Sequence, residues 1–279
     1  MSVLHAGSFR LSLARPLIMG IVNVTPDSFS DGGVCLDAQT AIAHALKLHE
    51  AGAAILDVGG ESTRPGASPV TLQEELRRVL PVVTSLAQRG MVVSIDTQKP
   101  EVMRAALAEG AAMVNDVRAL RAEGALEVVA ASEAAVCLMH MQGEPRAMQQ
   151  SPGYVQVVDE VRIFLGSRMN DCVAAGIAHD RLVIDPGFGF GKTLAHNLAL
   201  LAQLERMADL GVPVMVGMSR KSMLGALTGR DVHEREFAGV AAHLAAVARG
   251  ARLLRVHDVA AMQDALAVWN ALGEVNDGT

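Results

Sequence analysis

The sequence predicts an α/β protein built as one (β/α)8 TIM barrel with a short N-terminal β-hairpin. Three observations carry that prediction. The chain is 279 residues long, close to the roughly 250 residues of a typical single-domain barrel. Hydrophobic residues make up 51% of it but aromatics only 3%, which implies a core of Ala, Val, Leu and Ile layers. Short apolar, β-branched runs alternate eight times with longer segments of helical period, as βα units around a parallel sheet must. No linker or shift in composition divides the chain, so a single domain is expected over 1–279. A doubly wound open sheet is the structural rival.

In chain order, residues 9–14 alternate weakly in polarity and are expected to form a hairpin plugging the barrel bottom. The first barrel strand is read at 17–24, followed by a helix at 37–51 that stops at Gly52. Strand 55–59 leads to helix 71–89 and Gly90, and strand 91–96 to helix 99–109 and Gly110. Strand 113–117 precedes helix 122–132, and strand 135–139 precedes helix 154–175, closed by Gly176. Strand 182–185 is followed by helix 193–210 and Gly211, strand 214–217 by helix 237–249 and Gly250, and strand 253–256 by helix 259–272. The glycines stand where a left-handed residue ends a helix.

Net charge is −6 with both signs mixed throughout, so the chain lacks the basic stripe that nucleic acid or an anionic membrane requires. Small-molecule partners are expected instead. The apolar run at 16–24 begins with proline and lacks a small-residue cleavage site, which fits neither a signal peptide nor a membrane span. Cys35, Cys137 and Cys172 are odd in number and have no metal-type spacing, as in a reducing compartment. A cytoplasmic protein with structural cysteines is expected.

The stretch DPGFGFGKT at 185–193 ends as a phosphate-binding P-loop does. A P-loop needs glycine five residues before the Gly of its Gly-Lys pair; that position is Pro186, which has no N–H to contribute. The dinucleotide pattern G-x-G-x-x-G fails as well, because the glycines fall at Gly187, Gly189 and Gly191. The stretch therefore serves another purpose.

In a barrel the chemistry gathers at the C-terminal strand ends. Here those ends supply Asn23, then Asp57 and Glu61, Asp96, Asn115, His140, Asp185, Ser219 and Lys221, and finally Arg255 and His257. One polar residue at a strand end only marks where the chain leaves the core, whereas eight in a row mark a site. Asp96, Asn115 and Asp185 are acceptors suited to a ring with several N–H donors, such as a 2-amino-pyrimidinone. Arg255 and His257, with Arg64 and Asn23 nearby in the circle, suit an anion. Lys221 either forms a buried ion pair with Asp185 or donates to the ring beside that carboxylate. The loops TPDSFSDGG after Asn23 and ESTRPGA after Gly60 are long for βα connections. They are either solvated turns or lids, and Phe29 and Pro65, apolar beside charged Asp31 and Arg64, are what a closing lid needs.

These residues lie in segments that resemble the dihydropteroate synthase family: MGIVNVTPDSFSDGG at 19–33, LDVGGESTRPGA at 56–67, SIDTQKPEV at 94–102, VNDVRAL at 114–120, LMHMQGEPRAMQ at 138–149, DPGFGFGK at 185–192, GMSRKSMLG at 217–225 and LLRVHDV at 253–259. The resemblance implies a pterin-binding transferase of folate biosynthesis, joining 6-hydroxymethyl-7,8-dihydropterin diphosphate to p-aminobenzoate with release of pyrophosphate and use of Mg²⁺. It implies that Asp96, Asn115, Asp185 and Lys221 hold the pterin, that Met139 and Phe190 pack on its faces, and that Gly217 gives clearance. DPGFGFGK then reads as a shelf under the ring. Asn23, Arg255 and His257 are implied to take the diphosphate, Asn23 also as a Mg²⁺ ligand, with Thr63 and Arg64 at the diphosphate or in the closed second loop. Phe29, Pro65, Ser219 and Lys221 are implied to frame p-aminobenzoate. The residues expected to act in catalysis are Asn23, Arg64, Lys221, Arg255 and His257, and a homodimer is implied by the resemblance only. Glu144 and Arg146 stand where the family often has other polar residues. Two further readings stay open: a pterin-dependent methyltransferase domain with a cobalamin partner, which has no need of an Arg255–His257 pair, and a non-catalytic pterin-binding paralogue.

Overall fold

The computed structural model describes residues 3–24, 34–62, 68–143 and 148–277. Their elements are β1 (Val3–Ala6), β2 (Phe9–Ser12), β3 (Leu17–Asn23), α1 (Val34–Glu50), β4 (Ile55–Gly59), α2 (Leu72–Ala87), β5 (Val93–Asp96), α3 (Pro100–Ala108), β6 (Met113–Asp116), α4 (Ala125–Ala130), β7 (Ala135–Met139), α5 (Val157–Ala174), β8 (Leu182–Asp185), α6 (Leu194–Ala202), α7 (Glu205–Ala208), β9 (Val214–Val216), α8 (Ser222–Thr228), α9 (Glu236–Val247), β10 (Ala251–Val256) and α10 (Val259–Asp277). Strands β3 to β10 close into a barrel in the order β10-β3-β4-β5-β6-β7-β8-β9, and every neighbouring pair is parallel. The eight expected strands are all present, and the six glycines expected to end helices all lie at positive φ.

Alternation along each strand divides its apolar side chains between two cores. Met19, Ile55, Met113, Ala135, Cys137, Val183, Met215 and Leu253 form the inner one. Ile18, Val22, Leu56, Val58, Ile95, Val114, Leu138, Ile184, Val216 and Leu254 point outward and pack with the helices. The inner core is completed from below by Leu4, Ala6 and Leu13. Fully burying a side chain such as Leu4 contributes about 1.5–3 kcal/mol, so the N-terminal segment is a working floor of the barrel.

Three expectations change. The hairpin is not contained in 9–14: its first strand is β1, paired antiparallel with β2 through Leu4 and Leu11, and only the second strand falls in the expected range. The helix read at 193–210 is two helices. At Gln203 the backbone leaves the helical region (φ −121, ψ 32), and Leu204 and Met207 beyond the break are both completely buried. Helix α8 was not foreseen; seven residues with Gly225 in their middle carry too little periodicity to be read.

The short strand β9 is tied to its covering helix by a histidine. His243 Nδ1 lies 2.7 Å from the Gly239 carbonyl and must donate to it, which leaves Nε2 to accept from Met218 N–H at 3.4 Å. Protonation would set a second N–H against that of Met218, and burial holds the pKa of His243 down at about 4. The unfolded chain therefore takes up this proton first, and the contribution of His243 to stability is lost as pH falls below its ordinary value of 6.5. We expect the unfolding free-energy difference between wild type and His243→Gln to shrink by about 1.4 kcal/mol per pH unit between pH 6.5 and 4. Paired denaturant titrations across that range check it, since all other titrations cancel in the difference; a flat difference would contradict the tautomer assigned.

Candidate active site

The alternation that fills the lower barrel with apolar groups turns polar at the top. Register sets Asn23 beside Gly59, Gly59 beside Asp96, Asp96 beside Asn115, and Met139 beside Asp185. All share the inward phase of Met19, Ile55 and Met113. Arg255 joins them through its pairing with Met19, and a Cβ added at Gly217 would lie 3.8 Å from Arg255 Cβ, on the same side of the wall. Most of the residues expected at the mouth are thus brought to one rim.

His140 and Glu61 are not among them. Met139 takes the last inward position of β7, so His140 turns outward: its ring stands edge-on to Phe164 at 4.9 Å and its Nδ1 lies 3.0 Å from Lys192 Nζ. Burial, reinforced by Lys192, keeps its pKa down at about 3, and it is a neutral packing residue. Glu61 is engaged by the scaffold, accepting from Val70 N–H at 3.0 Å and from Lys99 Nζ at 2.7 Å. Lys99 also binds Glu75, which is fully buried and accepts from Thr97 Oγ1 at 2.6 Å. This network joins both ends of the second loop to α2 and α3.

Inside the mouth one guanidinium serves two carboxylates. Arg255 donates from Nε to Asp57 Oδ2 at 2.7 Å and from Nη2 to Asp96 Oδ2 at 2.6 Å. Asn115 Nδ2 donates to the same Asp57 oxygen at 3.0 Å. Burial, against the pull of Arg255 and with the repulsion of Asp57, raises the Asp96 carboxyl to about 7. Asp185 is likewise pushed upward by burial, opposed by Lys221, and its Oδ1 accepts from Gly187 N–H at 2.7 Å. Lys221 Nζ donates to the Phe188 carbonyl and stands 4.7 Å from the centre of the Phe190 ring. Of the two readings of Lys221, the direct ion pair with Asp185 is not formed among the described contacts. Burial lowers its ammonium to about 8.

The glycine-rich shelf follows Asp185. Gly187 has φ +70, and a Cβ there would come 1.9 Å from the carbonyl oxygen of His140, so the backbone passes closer to β7 than any other residue allows. The turn leaves its carbonyls pointing at side chains. Gly187 and Phe190 accept from Lys192 Nζ at 2.9 and 3.0 Å, Phe188 from Lys221, Gly189 from Gln149 and Gly191 from Tyr154 Oη at 2.9 Å. Lys192, nearly wholly buried and lowered by burial to about 7, is a pin inside the shelf. Phe190 packs with Met139, Met141, Met148 and Val117, an apolar patch beside Asp185.

The loop after β9 is held in place from two sides. Arg220, at φ +61, pairs with Asp258 at 2.6 Å, while Arg235 Nη1 donates to the Arg220 carbonyl at 3.2 Å. A non-glycine residue in that conformation costs about 1–3 kcal/mol, and these contacts offset it. Ser219 Oγ lies 3.0 Å from His257 Nδ1 and accepts the His257 backbone N–H at 3.3 Å, so the ends of β9 and β10 are joined at the rim. Sequence reasoning missed Lys192, Arg220 and Arg235 as supports, because each acts through carbonyls or carboxylates distant in the chain. Phe29, Thr63, Arg64 and Pro65, together with Glu144 and Arg146, lie outside the described residues.

A barrel whose mouth gathers acceptors around an apolar shelf, with a guanidinium and an imidazole on the same rim, defines a class of enzyme that binds a flat, donor-rich heterocycle. The family profile described as pterin binding enzyme matches residues 19–257. A dihydropteroate synthase of Neisseria meningitidis serogroup C is 54% identical over 276 residues, covering 97% of this chain and 98% of that one. The Xanthomonas albilineans dihydropteroate synthase solved with 4-aminobenzoic acid has a TM-score of 0.92 at 55% identity, covering 98% of both chains. The structure from the same organism in complex with 7,8-dihydropteroate has a TM-score of 0.89 at 53% identity, covering 97% of this chain and 98% of that one. The chain belongs to the pterin-binding enzymes and, within them, to the dihydropteroate synthases.

Gly217 gives a direct test of the rim. A Cβ there meets only ordinary contacts at 3.8 Å within the chain, so Gly217→Ala should change folding stability by no more than about 0.5 kcal/mol. If Gly217 gives clearance to a ring, the added methyl stands in its way, and pterin affinity should fall about tenfold or more. Calorimetric titration beside thermal unfolding separates the two effects. Undiminished affinity would move the ring away from β9.

Proposed function

We propose that the chain condenses 6-hydroxymethyl-7,8-dihydropterin diphosphate with p-aminobenzoate, giving 7,8-dihydropteroate and pyrophosphate, an alkyl transfer other than methyl in folate biosynthesis. The observation that carries this reading is the inward ring of Asp96, Asn115 and Asp185 with Arg255 on the same rim, in a chain whose relatives were solved with 4-aminobenzoic acid and 7,8-dihydropteroate. The same relatives favour it over a methyltransferase domain or a non-catalytic paralogue.

In this reading Asp96, Asp185 and the Asn115 oxygen accept from the ring N–H groups, Lys221 donates to the ring, and Met139 and Phe190 cover its faces. When ring donors take Asp96, the Nη2 edge of Arg255 is released toward the diphosphate. His257, held by Ser219, joins it there, and Arg64 and Thr63 are assigned to the same anion. Neutralising that charge lets pyrophosphate leave the exocyclic carbon, where the electron-rich dihydropterin stabilises the developing cation. The arylamine of p-aminobenzoate, framed by Ser219, Lys221, Phe29 and Pro65, is nucleophilic enough to attack without a strong base. What the protein supplies is alignment and exclusion of water.

Mg²⁺ belongs to the proposal. Among the described residues no group of three or more His, Cys, Asp and Glu is arranged to hold a metal, whereas half-buried Asn23 offers an amide oxygen at the end of β3. One hard oxygen ligand suits an ion that keeps several waters and takes its other ligands from phosphates, and when bound it supplies charge neutralisation to the leaving group. A homodimer is supported by large apolar side chains exposed on adjacent helices, Leu227 at 53% and Phe237 at 83%. A cytoplasmic setting is supported by Cys137 and Cys172, both free and buried; no helix of the described residues is long and apolar enough to cross a membrane.

Pyrophosphate should appear only when both substrates and a divalent ion are present, and an enzyme equally fast in EDTA would remove the ion from the scheme. Asp185→Asn replaces a carboxylate with a group that turns donors toward a donor-rich ring. Hydrogen bonds to charged groups contribute about 1.5–3 kcal/mol, so pterin affinity should fall roughly ten- to a hundredfold by calorimetry. A folded variant with wild-type affinity would take Asp185 out of the pocket.

A further inference from the structure

Asp57 is a buried carboxylate to which the reading above gives no role. It is completely buried and sits one layer below the rim, with Ile21 and Ser94 as its register neighbours. Its Oδ2 accepts from Asn115 Nδ2 and from Arg255 Nε. Its Oδ1 is buried with no hydrogen-bond partner among the described residues. Placing a charge at this depth costs several kcal/mol before pairing, and an apolar residue of similar volume is often as stable or more so. Barrel closure is therefore a poor reason for a carboxylate here.

Its geometry supplies a better one. An ionised carboxylate offers only acceptors, so whatever stands against Oδ2 must turn a donor toward it. For Asn115 this settles the amide orientation: the NH2 group faces Asp57, and the carbonyl oxygen is left for the mouth. For Arg255 it holds Nε at the base of the guanidinium while the Nη2 edge reaches Asp96. One residue thus orders an acceptor under the ring and a donor beside it.

We propose that Asp57 is a positioning residue that sets the hydrogen-bond polarity of the mouth, turning the Asn115 oxygen toward the pterin ring and aiming Arg255 at the diphosphate. This rests on the function proposed above, so wild-type pyrophosphate release is established first; once it is seen, the following outcomes bear on Asp57 alone. Asp57→Asn keeps the shape but presents an NH2 group as well as an oxygen, and Asn115 is no longer held one way round. Affinity for 6-hydroxymethylpterin, which lacks the diphosphate, should fall about tenfold, and affinity for the diphosphate ester should fall further. In double-mutant cycles, the loss for the bare ring should vanish to within about twofold in an Asn115→Ala background, and the extra loss for the diphosphate should vanish in an Arg255→Lys background. Losses that add in both cycles, or a folded Asp57→Asn enzyme with wild-type affinities, overturn the proposal. Should that variant not fold, the wild-type enzyme still decides. Its Arg255 Nε–H, read by nitrogen-15 NMR, should stay protected from solvent exchange both free and with pterin diphosphate bound, and loss of protection on binding overturns the anchoring role.

Discussion

The direction of every polar group at the mouth depends on the two-residue alternation of the strands. Asn115 faces inward, and its neighbour Asp116 faces outward to accept from Arg118 and Leu120 N–H groups at 2.8 and 2.7 Å. Met139 faces the mouth and His140 faces α5. A slip of one residue in any strand would exchange these pairs and drive Asp96 or Asp185 into the apolar layer beneath the helices. That phase is enforced from below, where Met19, Ile55 and Met113 pack on the floor made by Leu4, Ala6 and Leu13. The hairpin therefore acts on the site from the far end of the barrel: it stabilises the register in which these acceptors face the mouth.

Within that register the charges are held against their own desolvation. Burial raises Asp96 and Asp185 and lowers Lys221, each toward neutrality. What opposes this is mutual pairing, chiefly Arg255 between Asp57 and Asp96. Such groups are poised rather than satisfied. In the proposed function, a donor-rich ring would take the place of the guanidinium at Asp96, and the anion carried on the same substrate would take up the freed edge of Arg255. The cost of drying and orienting Arg255 falls on folding rather than on binding, which is what electrostatic preorganisation requires.

Most of the barrel was legible from the sequence because its signals are local. An apolar run of four to eight residues and a glycine after a helical stretch are read within one element, and all eight strands and six glycine stops are where those signals placed them. Asp96, Asn115, Asp185 and Arg255 were legible for the same reason, as the ends of apolar runs, whereas Gly217 was singled out only by the family resemblance. The misreadings are those that needed a neighbour. β1 is only four residues long and is a strand because β2 pairs with it. His140 was misplaced because the last inward position of β7 falls on Met139, and the residue after it turns to Phe164 and Lys192, neighbours distant in the chain. Asp57 was visible as a strand-end carboxylate, but its meaning lies in a partner 198 residues away, and no local pattern carries that.

The segment from Gly187 to Lys192 shows why composition alone misleads about charge. In a phosphate-binding loop the glycines let consecutive N–H groups converge, and the resulting pocket attracts anions. Here the glycines serve close approach to β7, and it is the carbonyls that converge. Those of Gly187 and Phe190 meet Lys192, joined by His140 through its carbonyl and Nδ1. The amides meanwhile turn to acceptors inside the protein, Gly187 to Asp185 and Gly189 to Asn197 Oδ1 at 2.8 Å. The same residue types thus build a cation holder instead of an anion nest, and its cation is the chain's own lysine. Pinning the turn this way keeps Phe190 beside Asp185 and leaves Lys221 above the Phe190 ring, so the shape of the shelf is set by the chain's own contacts.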